Sequence, residues 1–173
     1  MIHGVLFDTE RLLARRLSPE DAKDMVAIFG DQESMRFVGD SKTLTEADCL
    51  YWIVDVTDKN FESRGYGMIA FVDKDALNLI GCAGVFHPGQ QTEPEVMYWI
   101  QREQWGKGFA TEIVKGLVAH ARDSWMVERM IATIHPDNLA SQRVITKSGF
   151  VRIEDRVNED GSITQVWERP GLA

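Results

Sequence analysis

The run at residues 95–111, EVMYWIQREQWGKGFAT, leaves the chain fewer choices than any other stretch. It opens on an apolar segment at 96–100, whose aromatic and β-branched side chains suit a buried strand. It closes on Trp105-Gly106-Lys107-Gly108-Phe109-Ala110-Thr111, and the apolar residues that follow, Ala110, Ile113, Val114, Leu117, Val118 and Ala121, keep a helical period. A strand, a glycine turn and a helix start together predict an anion site. The first turn of a helix has backbone NH groups without intrahelical partners, and the aligned peptide dipoles add partial positive charge there. Gly106 and Gly108 lack a Cβ, so the chain can turn tightly and a pyrophosphate can approach the backbone. Lys107 either adds a charge or points to water.

Two familiar phosphate motifs do not fit. A G-x-G-x-x-G dinucleotide fingerprint needs glycine or alanine at position 111, where Thr111 stands. A P-loop needs G-x-x-x-x-G-K followed by Ser or Thr, which the chain lacks.

With 173 residues and 44% apolar content, the chain suits one domain with a substantial core. Its formal net charge of -8 argues against a sequence-blind nucleic-acid binder. That charge suits a cationic acceptor such as an amine, or simply solubility. Cys49 and Cys82 lack a C-x-x-C spacing or a nearby histidine pair, so reduced structural thiols and no metal are expected. No apolar run approaches the ~18 residues of a membrane span, and no basic-then-apolar leader opens the sequence, so the expectation is a cytoplasmic protein without a membrane partner.

Along the chain, residues 12–17 alternate like a strand, and Ser18-Pro19-Glu20-Asp21 marks a helix start whose apolar face is Met25, Ile28 and Phe29. Residues 31–42 read as a loop, and Thr45-Glu46 opens a helical stretch to about residue 60. Residues 66–72 and 79–87 form a hairpin, 88–94 a polar loop and 130–134 a strand. A short helix over 138–148 ends at Gly149, before a last hairpin across Asp160-Gly161. Arg11 and Arg15 read as structural or solvated charges, His87 and His135 as structural.

Three phrases resemble the GNAT acetyltransferases, in particular their RimJ/RimL-like branch. The acyl-CoA motif, Q/R-x-x-G-x-G/A, falls on Trp105, Gly106, Lys107, Gly108, Phe109 and Ala110, with Trp105 replacing Gln or Arg as is common in that branch. The opening Thr9-Glu10-Arg11-Leu12 looks like the start of the same branch. The phrase Asn138-x-x-Ser141-x-x-Val144-Ile145-Thr146-Lys147-x-Gly149-Phe150 is similar to the motif closing the CoA site.

The resemblance implies a single domain over residues 1–173 of α/β (α+β) class. Its mixed, mostly antiparallel sheet of about six to seven strands would be splayed between the fourth and fifth, here 95–100 and 130–134, and flanked by about four helices. It implies acetyl-CoA as co-substrate, with pantetheine lying in the opening like an added strand. Tyr98, Trp99 and Ile100 would line it, the NH of Tyr98 or Trp99 would face the developing oxyanion, and Gly106, Lys107, Gly108, Phe109, Ala110 and Thr111 would hold the diphosphate. Asn138 would bond the pantetheine arm or simply cap its helix.

The acceptor implied is a primary amine, either a protein N-terminus or a small molecule; a homodimer stays open. Such an amine attacks only when neutral, which at pH 7 costs roughly 4 to 5 kcal/mol for a lysine-like group and ~1 for an α-amino group. Glu95, in the place of the branch's E-x-G-Y acid, reads as the base, acting directly or through water, or as a solvated or acceptor-orienting carboxylate. Met97 stands where the branch carries glycine, which would narrow the site. Many members use a tyrosine to protonate the thiolate; Ile145 occupies that place. Ser141, the RimL-like substitute, reads as the proton donor or as a helix-surface contact. The rival reading is a non-catalytic acyl-CoA-binding or regulatory module of the same fold.

Overall fold

Pairing begins earlier in the chain than its alternation suggests. In the computed structural model, which describes residues 4–171, β1 (Val5–Asp8) runs antiparallel to β2 (Leu12–Arg16) through Val5↔Arg15 and Asp8↔Leu13. β1 is a four-residue edge strand with both ends exposed, so it carries little apolar signal.

The predicted helix start at Ser18 is a 3-10 turn over Pro19–Asp21 that passes into α1 (Ala22–Phe29), whose Met25, Ile28 and Phe29 are buried. Asp21 is buried beside Arg15, whose guanidinium donates to both carboxylate oxygens at 2.7 Å, and the Ser18 NH donates to the same carboxylate at 2.8 Å. Burial alone would raise the Asp21 pKa, but Arg15 and Ser18 outweigh it and hold the carboxyl below its usual range.

Within the expected loop at 31–42 lies a single helical turn, α2 (Gln32–Met35), capped by the Asp31 carboxylate accepting from the Ser34 NH at 2.8 Å. Thr45 and Asp48 form a reciprocal capping box that opens α3 (Glu46–Tyr51). A π-helical turn, Trp52–Thr57, carries the same rod into α4 (Asp58–Arg64), which stops at Gly65 with φ +80°.

The remaining elements follow the expected order: β3 (Met68–Asp73), β4 (Leu79–Phe86), β5 (Glu95–Ile100), α5 (Phe109–Trp125), β6 (Met130–Ile134), α6 (Leu139–Lys147), β7 (Val151–Val157) and β8 (Ile163–Arg169). They form an eight-stranded open sheet in the order β1-β2-β3-β4-β5-β6-β8-β7, antiparallel everywhere except between β5 and β6. The α1, α3–α4, α5 and α6 segments are the four long flanking helices, and β1 is the strand added to the expected seven.

One face of the sheet carries α5, whose Ile113, Val114 and Leu117 are fully buried against Ile80, Val96 and Met130. Each such side chain contributes about 1.5–3 kcal/mol relative to exposure. The other face carries α1 to α3 over a second core that includes Met25, Ile53, Met68 and Cys82. Both cysteines are free and buried, and burial pushes both thiols up, Cys49 to about 11.

Candidate active site

The sheet is split where the sequence resemblance placed the opening. β5 and β6 share a single register pair, Glu95↔Ile131, supported by the Ile131 NH donating to the Pro94 carbonyl at 2.9 Å. Beyond it the strands part, leaving the facing edges without strand partners among the described residues. A parallel pair that separates after one residue creates a wedge with free backbone donors and acceptors along its sides.

The glycine turn stands at the open end of β5. Gly106 and Gly108 have φ +75° and +83°, left-handed conformations that L side chains rarely adopt. Gly108 is the N-cap of α5, and no side chain caps that helix. The NH groups of its first turn, at Phe109, Ala110 and Thr111, are therefore available to an anion. A Cβ at Gly106 would meet nothing within 4 Å, so the space before the turn is open. The Lys107 ammonium lies on Gln104 at 3.0 Å, while the Trp105 indole NH donates to the Ile100 carbonyl at 2.9 Å and fixes the turn to the strand.

Arg11 braces this turn, a role its sequence position did not reveal. Its guanidinium donates to the Lys107 carbonyl at 3.0 Å, sits 4.1 Å from the centre of the Phe109 ring and pairs with Glu112 at 2.7 Å. Glu112 also accepts from the Thr9 hydroxyl and the Arg11 NH. Burial would raise Glu112, but these bonds outweigh it and keep the carboxyl below its usual range. A charged Glu112 in the first turn would oppose an anion, and Arg11 offsets it. The signal was the Thr9-x-Arg11 phrase read together with an acid in the first turn of α5.

Tyr98 and Ser141 meet across the split, their hydroxyls 2.5 Å apart. Burial pushes the Tyr98 phenol up to about 12, against the opposing effect of the Ser141 bond, so it is a neutral hydrogen-bonding group. Asn138 caps α6 by accepting from the Ser141 NH at 3.1 Å, which fixes the serine. Ile145 is fully buried. Ile100 is buried under α5 and turns its backbone NH toward the wedge, whereas Trp99 packs on Phe29 and Phe86 on the opposite face and its backbone pairs with β4, so the expected place for Trp99 in the opening is not met.

Glu95 lies at the apex of the split and is 3% exposed. It accepts from the Thr133 hydroxyl on β6 and from Gln91 at 3.2 Å. Burial raises its pKa, and the Thr133 and Gln91 bonds only partly offset this. No motif marks either partner, because strand pairing and a loop bring them there.

His87 hydrogen-bonds Tyr66 at 2.8 Å, and His135 stacks on Phe37 while its Nδ1 accepts from the Asp137 NH at 3.1 Å. Among the described residues no cluster of His, Cys, Asp and Glu is placed to hold a metal, and no helix is long and apolar enough to cross a membrane.

An open wedge in the sheet, free first-turn amides and uncluttered space before a glycine turn suit the amide-bearing arm and diphosphate of an acyl-CoA. The family described as Acetyltransferase (GNAT) domain matches residues 11–151. The chain belongs to the GNAT acetyltransferases. A relative of this GNAT enzyme, the uncharacterized N-acetyltransferase YoaA of Bacillus subtilis, is 29% identical over 147 residues, 84% of this chain and 82% of YoaA. A GNAT-family acetyltransferase from Bacillus anthracis shares the fold with a TM-score of 0.79 at 19% identity, over 93% of this chain and 95% of that one. RimL, a ribosomal L7/L12 alpha-N-protein acetyltransferase solved with coenzyme A, does so with a TM-score of 0.79 at 13% identity, over 95% and 97%. The expected RimJ/RimL-like likeness is thus met among the fold neighbours, and GNAT membership makes the chain an acetyl-CoA-dependent acyltransferase.

Proposed function

We propose that this GNAT enzyme moves the acetyl group of acetyl-CoA to a primary amine by direct attack, with both substrates bound together. The observation that carries the reading is the single-pair junction of β5 and β6 beside the uncapped start of α5. In this reading the arm of acetyl-CoA lies along the free edge of β5, and Gly106, Lys107, Gly108, Phe109, Ala110 and Thr111 receive its diphosphate. The NH of Tyr98, which the β4–β5 register turns toward the split, donates to the carbonyl oxygen as charge develops there.

Glu95 serves as the base. Its burial makes it a better proton acceptor than an exposed carboxylate, and the Thr133 and Gln91 bonds hold it in place. The amine nitrogen forms the new amide bond, the carbon–sulfur bond breaks and the pair stays on sulfur. Ser141, held by Tyr98 and Asn138, hydrogen-bonds the departing sulfur. A thiol of pKa near 8.5 is already a tolerable leaving group, so this contact adds modestly to the rate.

Mixing the protein with acetyl-CoA and a broad amine panel, and following free thiol, tests the reading. Thiol release dependent on both substrates supports it; tight CoA binding without turnover on any amine speaks for a module that has lost its chemistry.

A further inference from the structure

On the sheet face opposite α5 a cavity of about 310 Å³ lies between α1, α2 and β5. Its walls include Phe29, Val38, Trp52, Met68, Met97 and Trp99. Met97 and Trp99 follow Glu95 at alternate positions of β5, so the cavity floor and Glu95 share one face of that strand. An acceptor resting on Met97 would lie one strand step from the carboxylate.

The lining is apolar apart from Asp40 and Lys42 at the exposed mouth, and these two pair with each other at 2.6 Å. No buried carboxylate in the lining awaits a second ammonium. The volume sits at the small end of ligand sites, room for one ring or branched chain with a short arm.

The cavity is also roofed. Asp31, before α2, pairs with Arg102 beyond the end of β5 at 3.5 Å. Phe37, after α2, stacks on His135 beyond the end of β6, ring centres 5.1 Å apart. The segment between these anchors strides over the open end of the split, and its continuation at Val38 to Asp40 lines the cavity. A folded protein presenting its N-terminus would have to displace that strap.

We infer that the acceptor is a small primary amine with a single cationic centre and an apolar body of about one aromatic ring, the body held between Met97, Trp99 and Val38 and the amine directed toward Glu95. This rests on the acetyl-transfer reading above. Methionines at 25, 35, 68 and 97 make the wall adaptable, so several apolar amines would be accepted rather than one.

The test uses the full chain saturated with CoA, with 2-phenylethylamine, spermidine and an unstructured Met-initiated decapeptide as probes. Binding is read by tryptophan fluorescence, since Trp52 and Trp99 line the cavity, and turnover by thiol release with acetyl-CoA. The expected result is saturable binding of phenylethylamine, with kcat/KM at least about a hundredfold above that for spermidine or the peptide. Val38→Glu should weaken phenylethylamine about tenfold or more and leave CoA affinity, read by calorimetry, unchanged. Absence of phenylethylamine binding, or preference for spermidine or the peptide, overturns the inference while acetyl transfer stands. Failure of the wild-type protein to bind CoA instead defeats the acetyl-transfer reading, and the fluorescence titration then judges the cavity alone.

Discussion

The hydroxyls of Tyr98 and Ser141 lie 2.5 Å apart, joining β5 to the first turn of the helix that follows β6. The contact is made by a strand residue and a helix residue 43 positions apart in sequence, on the two sides of the split. The direction of the serine, which in the proposed mechanism meets the departing sulfur, is fixed by a neutral phenol.

Ser141→Ala should therefore lower kcat by about tenfold, with little change in the KM for acetyl-CoA, since the thiolate needs only modest help. Tyr98→Phe should have a smaller effect of the same kind. Because the two hydroxyls share one bond, the double variant should be no slower than Ser141→Ala alone; strictly additive losses in steady-state kinetics would contradict a shared role.

Glu95→Gln should reduce kcat by about a hundredfold and abolish the acidic limb of the pH–rate profile. Stability should move the other way. A carboxyl whose pKa is raised on folding contributes stability that is full below its ordinary value of 4.5 and lost as pH rises through the folded value. Urea titrations should accordingly find Glu95→Gln more stable than wild type at pH 7, with the advantage gone by about pH 4.

Asp21→Asn leaves the half-buried Arg15 without its charged partner, which should cost about 3 kcal/mol and lower Tm by roughly 6–12 °C at pH 7. The Asp21 pKa is lowered on folding, so its contribution is present above 3.8 and lost as pH falls through the folded value. The gap between wild type and variant should narrow below that pH in chemical denaturation; a constant gap would assign the loss to packing instead.

Arg11→Ala removes the brace from the glycine turn and leaves Glu112 uncompensated beside it. The expected outcome is a Kd for CoA raised about tenfold by calorimetry, with a steeper loss than Arg11→Lys, because the guanidinium bonds the Lys107 carbonyl and Glu112 together.

Much of this fold was legible because β5, the glycine turn and α5 carry strong periodicity and forced backbone geometry. Gly106 and Gly108 announced positive φ, and Ile113, Val114 and Leu117 announced the buried stripe. β1 was not legible, because a short edge strand buries too little to leave a pattern. The helical turn at Gln32–Met35 depends on the Asp31 cap and on Met35 finding the core, neither visible as a periodic signal in four residues. In the site, single residues such as Glu95 and Ser141 could be named from motif likeness. Their partners Thr133 and Tyr98 are supplied by tertiary pairing and Gln91 by the turn of the 88–94 loop, and the meeting of Arg11 with Glu112 spans 101 positions.

In the proposed reading, coenzyme A enters the split between β5 and β6 with its diphosphate on the Gly108 corner. Calorimetric titration of CoA into wild type, Gly108→Val and Gly89→Ala probes that placement. Both glycines hold positive φ, +83° and +57°, but Gly89 lies in the 88–94 loop, which meets β5 at the end opposite the Gly108 corner, and controls for backbone strain. CoA affinity should fall about a hundredfold or more in Gly108→Val and stay unaltered in Gly89→Ala. Undiminished affinity in a folded Gly108→Val protein would contradict that placement.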